Sequence, residues 1–190
     1  MSEIPRYFAK DEVRRFFAQI PKRNLRDRVL FDLIYRHGLR RGEAARLLVD
    51  DVSLREKTLR VERLKGSRSG VYRLHPASLQ LLRAYLRSRS SESGFLFPGR
   101  IAGTHICPQT IYHACRKYAR AANLSRANPH AFRHSCGVHA ANSRLDLIDI
   151  ADMLGHRSLT IAMRYTAVST KRREENYERI VNSGEFASTV

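Results

Sequence analysis

The 190-residue sequence has no tryptophan, three cysteines and few acidic residues, 18 against 35 basic ones. Cys107, Cys115 and Cys136 are odd in number and form no C-x-x-C pair, so a disulfide framework is not what holds this chain, and a reducing, cytoplasmic compartment is the simplest reading. No apolar run approaches the roughly 20 residues of a membrane span. The first ten residues, MSEIPRYFAK, lack a signal-peptide apolar region. Neither G-x-G-x-x-G nor G-x-x-x-x-G-K occurs, which disfavours nucleotide-dependent chemistry. There is no internal repeat, low-complexity tract or long linker.

What is present is positive charge. The formal net charge is +17 and the pI about 10.7. Arginine supplies most of it, 29 residues against 6 lysines, spread along the whole chain. A cation excess of this size suits a partner with dense negative charge, above all nucleic acid, whose phosphates reward Lys and Arg by counterion release. A merely basic soluble protein is the plain alternative. The length fits one domain, and with 43% hydrophobic residues it can bury about 70% of its unfolded surface without a metal or disulfide staple.

Periodicity predicts an α+β fold, mostly α-helical, with one small antiparallel β-hairpin. Val13, Phe16, Phe17 and Ile20 recur at helical spacing over 10–20, and Pro21 ends that segment. Leu25, Val29, Leu30, Leu33 and Ile34 mark a second helix over 24–37, stopped by Gly38. A short helix is expected over 42–48. From Thr58 the texture changes to loose alternation, TLRVERL and VYRL around a turn at 65–70, which predicts the hairpin. Further helices are expected over 77–86, 108–122, 129–141, 146–154 and 158–165, with Pro108 in a first turn and Asp146 and Ser158 as caps. A last, highly charged helix is expected over 170–181.

The chemistry concentrates in residues 128–167, NPHAFRHSCGVHAANSRLDLIDIADMLGHRSLTIAMRYTA. An H-x-x-R pair alone carries nothing, since this composition gives about one by chance and three occur, starting at His37, His113 and His130. An ordered set is more specific. It runs from Gly-Leu-Arg ending at Arg40, with Glu43 a turn on, through Lys65 in the hairpin turn, to His130-x-x-Arg133-His134. It closes with Leu-Gly-His ending at His156 and with Tyr165 nine residues later. In this order and spacing the set resembles the tyrosine recombinase (phage integrase) family over about 6–167. The wording RHSCG, LGHR and RYTA is most similar to the short fimbrial-switch DNA invertases.

The resemblance implies the family's DNA breaking-rejoining fold as a catalytic domain over 1–169. It implies duplex DNA as partner, a homotetramer on two DNA sites with possible accessory DNA-bending proteins, and neither metal nor cofactor. Tyr165 would be the nucleophile, forming a covalent 3′-phosphotyrosine. Arg40 and Arg133 would clamp the phosphate, a role that suits the permanently charged, forked guanidinium. Lys65 would protonate the leaving 5′-oxygen, His130 would receive or position the tyrosine proton, and His156 would donate to the phosphate. Glu43 would support Arg40. His130 and His134 also stand at the i, i+4 spacing of a metal pair, but Arg133 places a cation between them and no third ligand follows. His75 begins the segment after the hairpin, while His105, His113 and His139 match no motif and are expected on the surface or near DNA.

The family's separate N-terminal core-binding domain has no room in this sequence, so the chain is either naturally short or a piece of a longer one. Residues 170–181, TKRREENYERIV, have too little apolar surface for a core helix. By the resemblance, the tail over 170–190 would dock on a neighbouring subunit. Two rivals remain: a type IB topoisomerase, which uses the same residue types, and a non-catalytic DNA-binding regulator descended from a recombinase.

Overall fold

The computed structural model describes residues 6–64, 67–89, 92–125, 128–166 and 178. Among them run eight α-helices: α1 (Lys10–Ala18), α2 (Leu25–Arg36), α3 (Arg41–Arg46), α4 (Pro76–Ser88), α5 (Pro108–Ala121), α6 (Pro129–Asn142), α7 (Leu147–Leu154) and α8 (Leu159–Thr166). Between α3 and α4 lie a 3₁₀ turn (Val49–Asp51) and three short strands, β1 (Val52–Ser53), β2 (Thr58–Val61) and β3 (Gly70–Arg73). The sheet is antiparallel in the order β1-β2-β3, with Leu59 opposite Val52 on one side and Tyr72 on the other. None of the described helices is long and apolar enough to cross a membrane.

The helices form where the apolar spacing places them. Asn24 caps α2 by accepting from the Asp27 amide, Pro108 and Pro129 occupy first turns, and the Ser158 hydroxyl accepts from the Thr160 amide at the start of α8. Asp146 holds the cap position of α7, but its side chain makes no capping bond. Gly38 ends α2 at φ +56°, and a Cβ there would lie 2.3 Å from Leu154. Glycine takes that backbone without strain, and any side chain there would have to push Leu154 aside. β1 has no counterpart in the sequence reading, because two residues are too few for an alternating pattern.

The apolar interior falls into two clusters. The larger centres on the rings of Phe8, Phe16, Phe31, Tyr118 and Phe132, which bring together α1, α2, α5 and α6. Edge-to-face and tilted contacts between such rings add roughly 0.5–1.5 kcal/mol each beyond burial. The smaller cluster joins α6, α7 and α8 through Val138, Ala141, Ile150, Leu154, Ala162 and Tyr165. His139 overturns its surface assignment: it is buried, with Nδ1 2.8 Å from the Tyr35 hydroxyl. A hydroxyl partner within reach is what makes a buried imidazole tolerable. Lys65 and the expected helix over 170–181, apart from Glu178, lie outside the described residues.

Candidate active site

The motif residues enter from three places. Arg40 and Glu43 stand at the start of α3, His130, Arg133 and His134 line one face of α6, and His156 and Tyr165 come from the turn after α7 and from α8. A hydrogen-bonded network begins at Arg40. Its guanidinium donates to Glu43 Oε1 at 2.6 Å and to the Ser67 hydroxyl at 3.0 Å, while Glu43 Oε2 accepts from the Arg40 amide at 2.8 Å. The same carboxylate accepts from Arg63 at 3.0 Å, and both side chains of that pair are fully buried. Burial alone would raise the Glu43 carboxyl. Hydrogen bonds from Arg40 and the charge and hydrogen bond of Arg63 outweigh it, so the group lies below its usual range and stays ionised.

Arg63 carries the network onward. It donates to the His37 carbonyl at 3.0 Å, to Met153 at 2.7 Å and to Gly38 at 3.3 Å. Arg133 shares the Gly38 carbonyl, donates to the Leu154 carbonyl at 2.7 Å and meets His156 Nε2 at 2.9 Å. Arg133 is only 1% exposed, and burial with the charges of Arg40 and Arg63 pushes its pKa down to about 10. It therefore remains a cation at neutral pH, but a cation beneath the surface.

A guanidinium can only donate, so Nε2 of His156 must be the acceptor and the ring proton belongs on Nδ1. Burial, reinforced by Arg133, Arg40, Arg63 and His134, pushes His156 down to about 4, consistent with that neutral tautomer. Its Nδ1 is buried and has no hydrogen-bond partner among the described residues. The His156 and Tyr165 rings lie nearly parallel, 9° apart with centroids separated by 6.2 Å.

Tyr165 is 3% exposed, and its pKa is raised by burial despite the nearby arginines. Its ring sits against Gly137, where a Cβ would come within 2.7 Å. Its hydroxyl lies 3.2 Å from His134 Nδ1. His130, the residue to which the resemblance gives the tyrosine proton, is the next ring along: it meets His134 edge-on with centroids 4.4 Å apart, and it is exposed.

The structure thus brings Arg40, Glu43, Arg133 and His156 into one hydrogen-bonded network, with Tyr165 beside His156 and His130 beyond His134 at the outer edge. Two members were not anticipated. Arg63 was one arginine among 29, and only its place two residues before Lys65 set it apart. His134 was weighed only as a metal partner, although its position one turn after His130 already put both on one helix face. No group of three or more His, Cys, Asp or Glu side chains among the described residues could hold a metal ion.

The chain is thus a mainly helical domain with a small antiparallel sheet that clusters guanidiniums and neutral imidazoles near a buried tyrosine. Residues 6–172 match the phage integrase family, and the chain belongs to it. It is 31% identical over 178 residues to the tyrosine recombinase XerA of Pyrococcus furiosus, covering 93% of this chain and 62% of that protein. To the type 1 fimbriae regulatory protein FimB of Escherichia coli K12 it is 35% identical over 145 residues, covering 74% and 72%. Among solved structures it superimposes on the XerH site-specific recombinase bound to palindromic difH substrate, a post-cleavage complex. The TM-score is 0.78 at 25% identity, covering 92% of this chain and 53% of that one. The chain spans about three fifths of the length of the XerA relatives it matches.

Proposed function

We propose that this chain is the catalytic part of a site-specific DNA recombinase that cuts and rejoins duplex DNA by transesterification through Tyr165. The observation that carries the reading is the hydrogen-bonded network from Arg40 through Glu43, Arg63 and Arg133 to His156, whose ring lies nearly parallel to that of Tyr165 with centroids 6.2 Å apart. In this reading the network supplies fixed positive charge and an unpartnered N–H donor to the phosphate that the Tyr165 hydroxyl attacks. Preorganised donors of that kind are what a phosphodiester developing negative charge requires. Cleavage would join Tyr165 to a 3′-phosphate and release a 5′-hydroxyl, which later attacks a partner strand's phosphotyrosine. Each broken ester is replaced by another, so no energy source is needed.

In this scheme Arg40, whose side chain is 27% exposed, reaches the phosphate oxygens directly, and the buried His156 Nδ1–H would donate to them once DNA binding opens the site. Arg133, 1% exposed, supplies charge from beneath and fixes the His156 tautomer. Lys65 would protonate the leaving oxygen, and Glu43 orients Arg40. Duplex DNA as substrate is supported by the net charge of +17 and by the DNA-bound relative. Residues 1–169 would form the catalytic unit and 170–190 a tail that docks on a neighbouring subunit within a homotetramer.

The test incubates the chain with a pool of nicked duplexes of randomised sequence and recovers DNA that stays attached to denatured protein. Wild type is expected to give a covalent adduct and Tyr165→Phe none. Adduct with Tyr165→Phe would refute the nucleophile. Strand exchange between two recovered duplexes separates a recombinase from a topoisomerase, and absence of any adduct would leave a DNA-binding regulator.

A further inference from the structure

We propose that His134 is the group that takes the proton from the Tyr165 hydroxyl as it attacks, and that His130 passes that proton to solvent. The inference deepens the reading of Tyr165 as nucleophile and rests on it. Three features of the geometry carry it. The first is contact with the reacting atom: His134 Nδ1 lies 3.2 Å from the Tyr165 hydroxyl, within the reach a general base needs. The second is orientation. Gly137 forms the floor under the tyrosine ring, which packs directly on it, and the hydroxyl at the ring's far end meets His134.

The third feature is an exit. Tyr165 is 3% exposed and His134 is half-buried, whereas His130, one turn nearer the helix start, is exposed. Their rings meet edge-on at 4.4 Å. Residues four apart stack along one helix face, so the sequence tyrosine, His134, His130 is a short path from a buried hydroxyl to water.

The protonation state agrees with this path. Burial, with the charges of His130, Arg133 and Arg164, pushes His134 down to about 4, so its imidazole is neutral and has a lone pair to offer. Because burial also raises Tyr165, the transfer is uphill and has to be concerted with bond formation at phosphorus. In the step itself Tyr165 Oη bonds to phosphorus while its proton moves to His134. The bond from phosphorus to the 5′-oxygen breaks, and that oxygen takes its proton from a separate acid. No electrons change hands beyond these pairs.

Asparagine separates this role from simple positioning. Its amide reaches about as far as Nδ1 and can still hydrogen-bond the hydroxyl, but it cannot accept the proton. The full chain is compared as wild type, His134→Asn, His134→Ala, His130→Asn and Tyr165→Phe on a nicked duplex recovered from the pool above. Adduct rate, DNA affinity and melting temperature are read for each. Adduct with wild type but none with Tyr165→Phe establishes the underlying reading.

Both His134 variants are then expected to lose roughly 10²–10⁴-fold in adduct rate, the range of a lost general base, with DNA affinity retained. Added imidazole should restore part of the His134→Ala rate, and His130→Asn should lose less than His134→Asn. A His134→Asn rate near wild type would overturn the proposal and leave His134 a positioning residue. So would a His130→Asn loss exceeding that of His134→Asn. Adduct formed equally by Tyr165→Phe would instead refute the nucleophile itself.

Discussion

Replacing Gly137 by alanine should cripple the chemistry while barely touching the fold. Gly137 lies inside α6, and a Cβ built there falls 2.7–2.8 Å from Cγ, Cδ1 and Cε1 of Tyr165. Ordinary contact begins at 3.4 Å, so moving from 2.7 to 3.4 Å displaces the ring by about 0.7 Å. Two energies oppose each other. Alanine in a helix interior gains roughly 0.8–1 kcal/mol over glycine, and overpacking a core costs about 1–3 kcal/mol. The net loss is therefore about 0–2 kcal/mol, or at most about 8 °C in melting temperature for a domain of this size. Catalysis is far less forgiving, because a misplacement on the order of 1 Å costs about 10²-fold. The hydroxyl would also move relative to His134. Thermal melting and adduct formation, measured side by side, are expected to show a small shift and a large loss. A wild-type adduct rate in a folded Gly137→Ala variant would refute the claim that this contact sets the nucleophile's position.

Arg63→Met removes the fully buried partner of Glu43 and should destabilise the fold in urea titrations by less than the roughly 3–5 kcal/mol of an unpaired buried charge, since Arg40 still pairs Glu43; adding Glu43→Gln should recover part of the loss, and a single variant as stable as wild type would contradict the buried-pair account. Stability should fall as pH drops from 6.5 toward 4, because burial first, with nearby cations, holds His37, His134 and His156 near 4 in the fold and the unfolded chain binds their protons first. The stabilisation is complete above 6.5 and is lost through that window, so a denaturation midpoint flat across it would refute the neutral-imidazole assignment. Glu43, also depressed, adds a further loss below about 4.5.

Much of this was legible because the motifs sit on regular elements. The spacing of Leu25, Val29, Leu30 and Leu33 declares α2, and the glycine after it declares its end. The interval from His156 to Tyr165 is one turn plus a short helix, so the family wording survives in one dimension. Arg63 and His134 were not legible in the same way. What makes Arg63 structural is contact with Gly38, Glu43 and Met153, up to 90 residues away. What makes His134 notable is a tyrosine 31 residues on, brought back by the packing of α6 against α8. His139 escaped for the same reason, since Tyr35 satisfies it from across the core. A side chain whose role lies in a tertiary partner leaves no periodic trace.

The two glycine motifs have a common physical meaning that the structure makes plain. Gly38 and Gly155 both take positive φ, at +56° and +67°, and each turns the chain out of a helix, α2 and α7 respectively. Such an ending leaves carbonyls at the helix C-terminus without intrahelical partners, on the negative end of the helix dipole. At these two ends the carbonyls of His37 and Gly38, and of Met153 and Leu154, accept from Arg63 and Arg133. Desolvating two guanidiniums is costly, and four oriented carbonyls with one carboxylate offset that cost. The arginines are thereby fixed in the free chain, and under the proposed mechanism little reorganisation would be needed as negative charge develops. The residues after the two turns, Arg40 and His156, then project from the same pair of helix ends. Motifs that read as catalytic wording are, in the folded chain, the two caps that hold the charge in place.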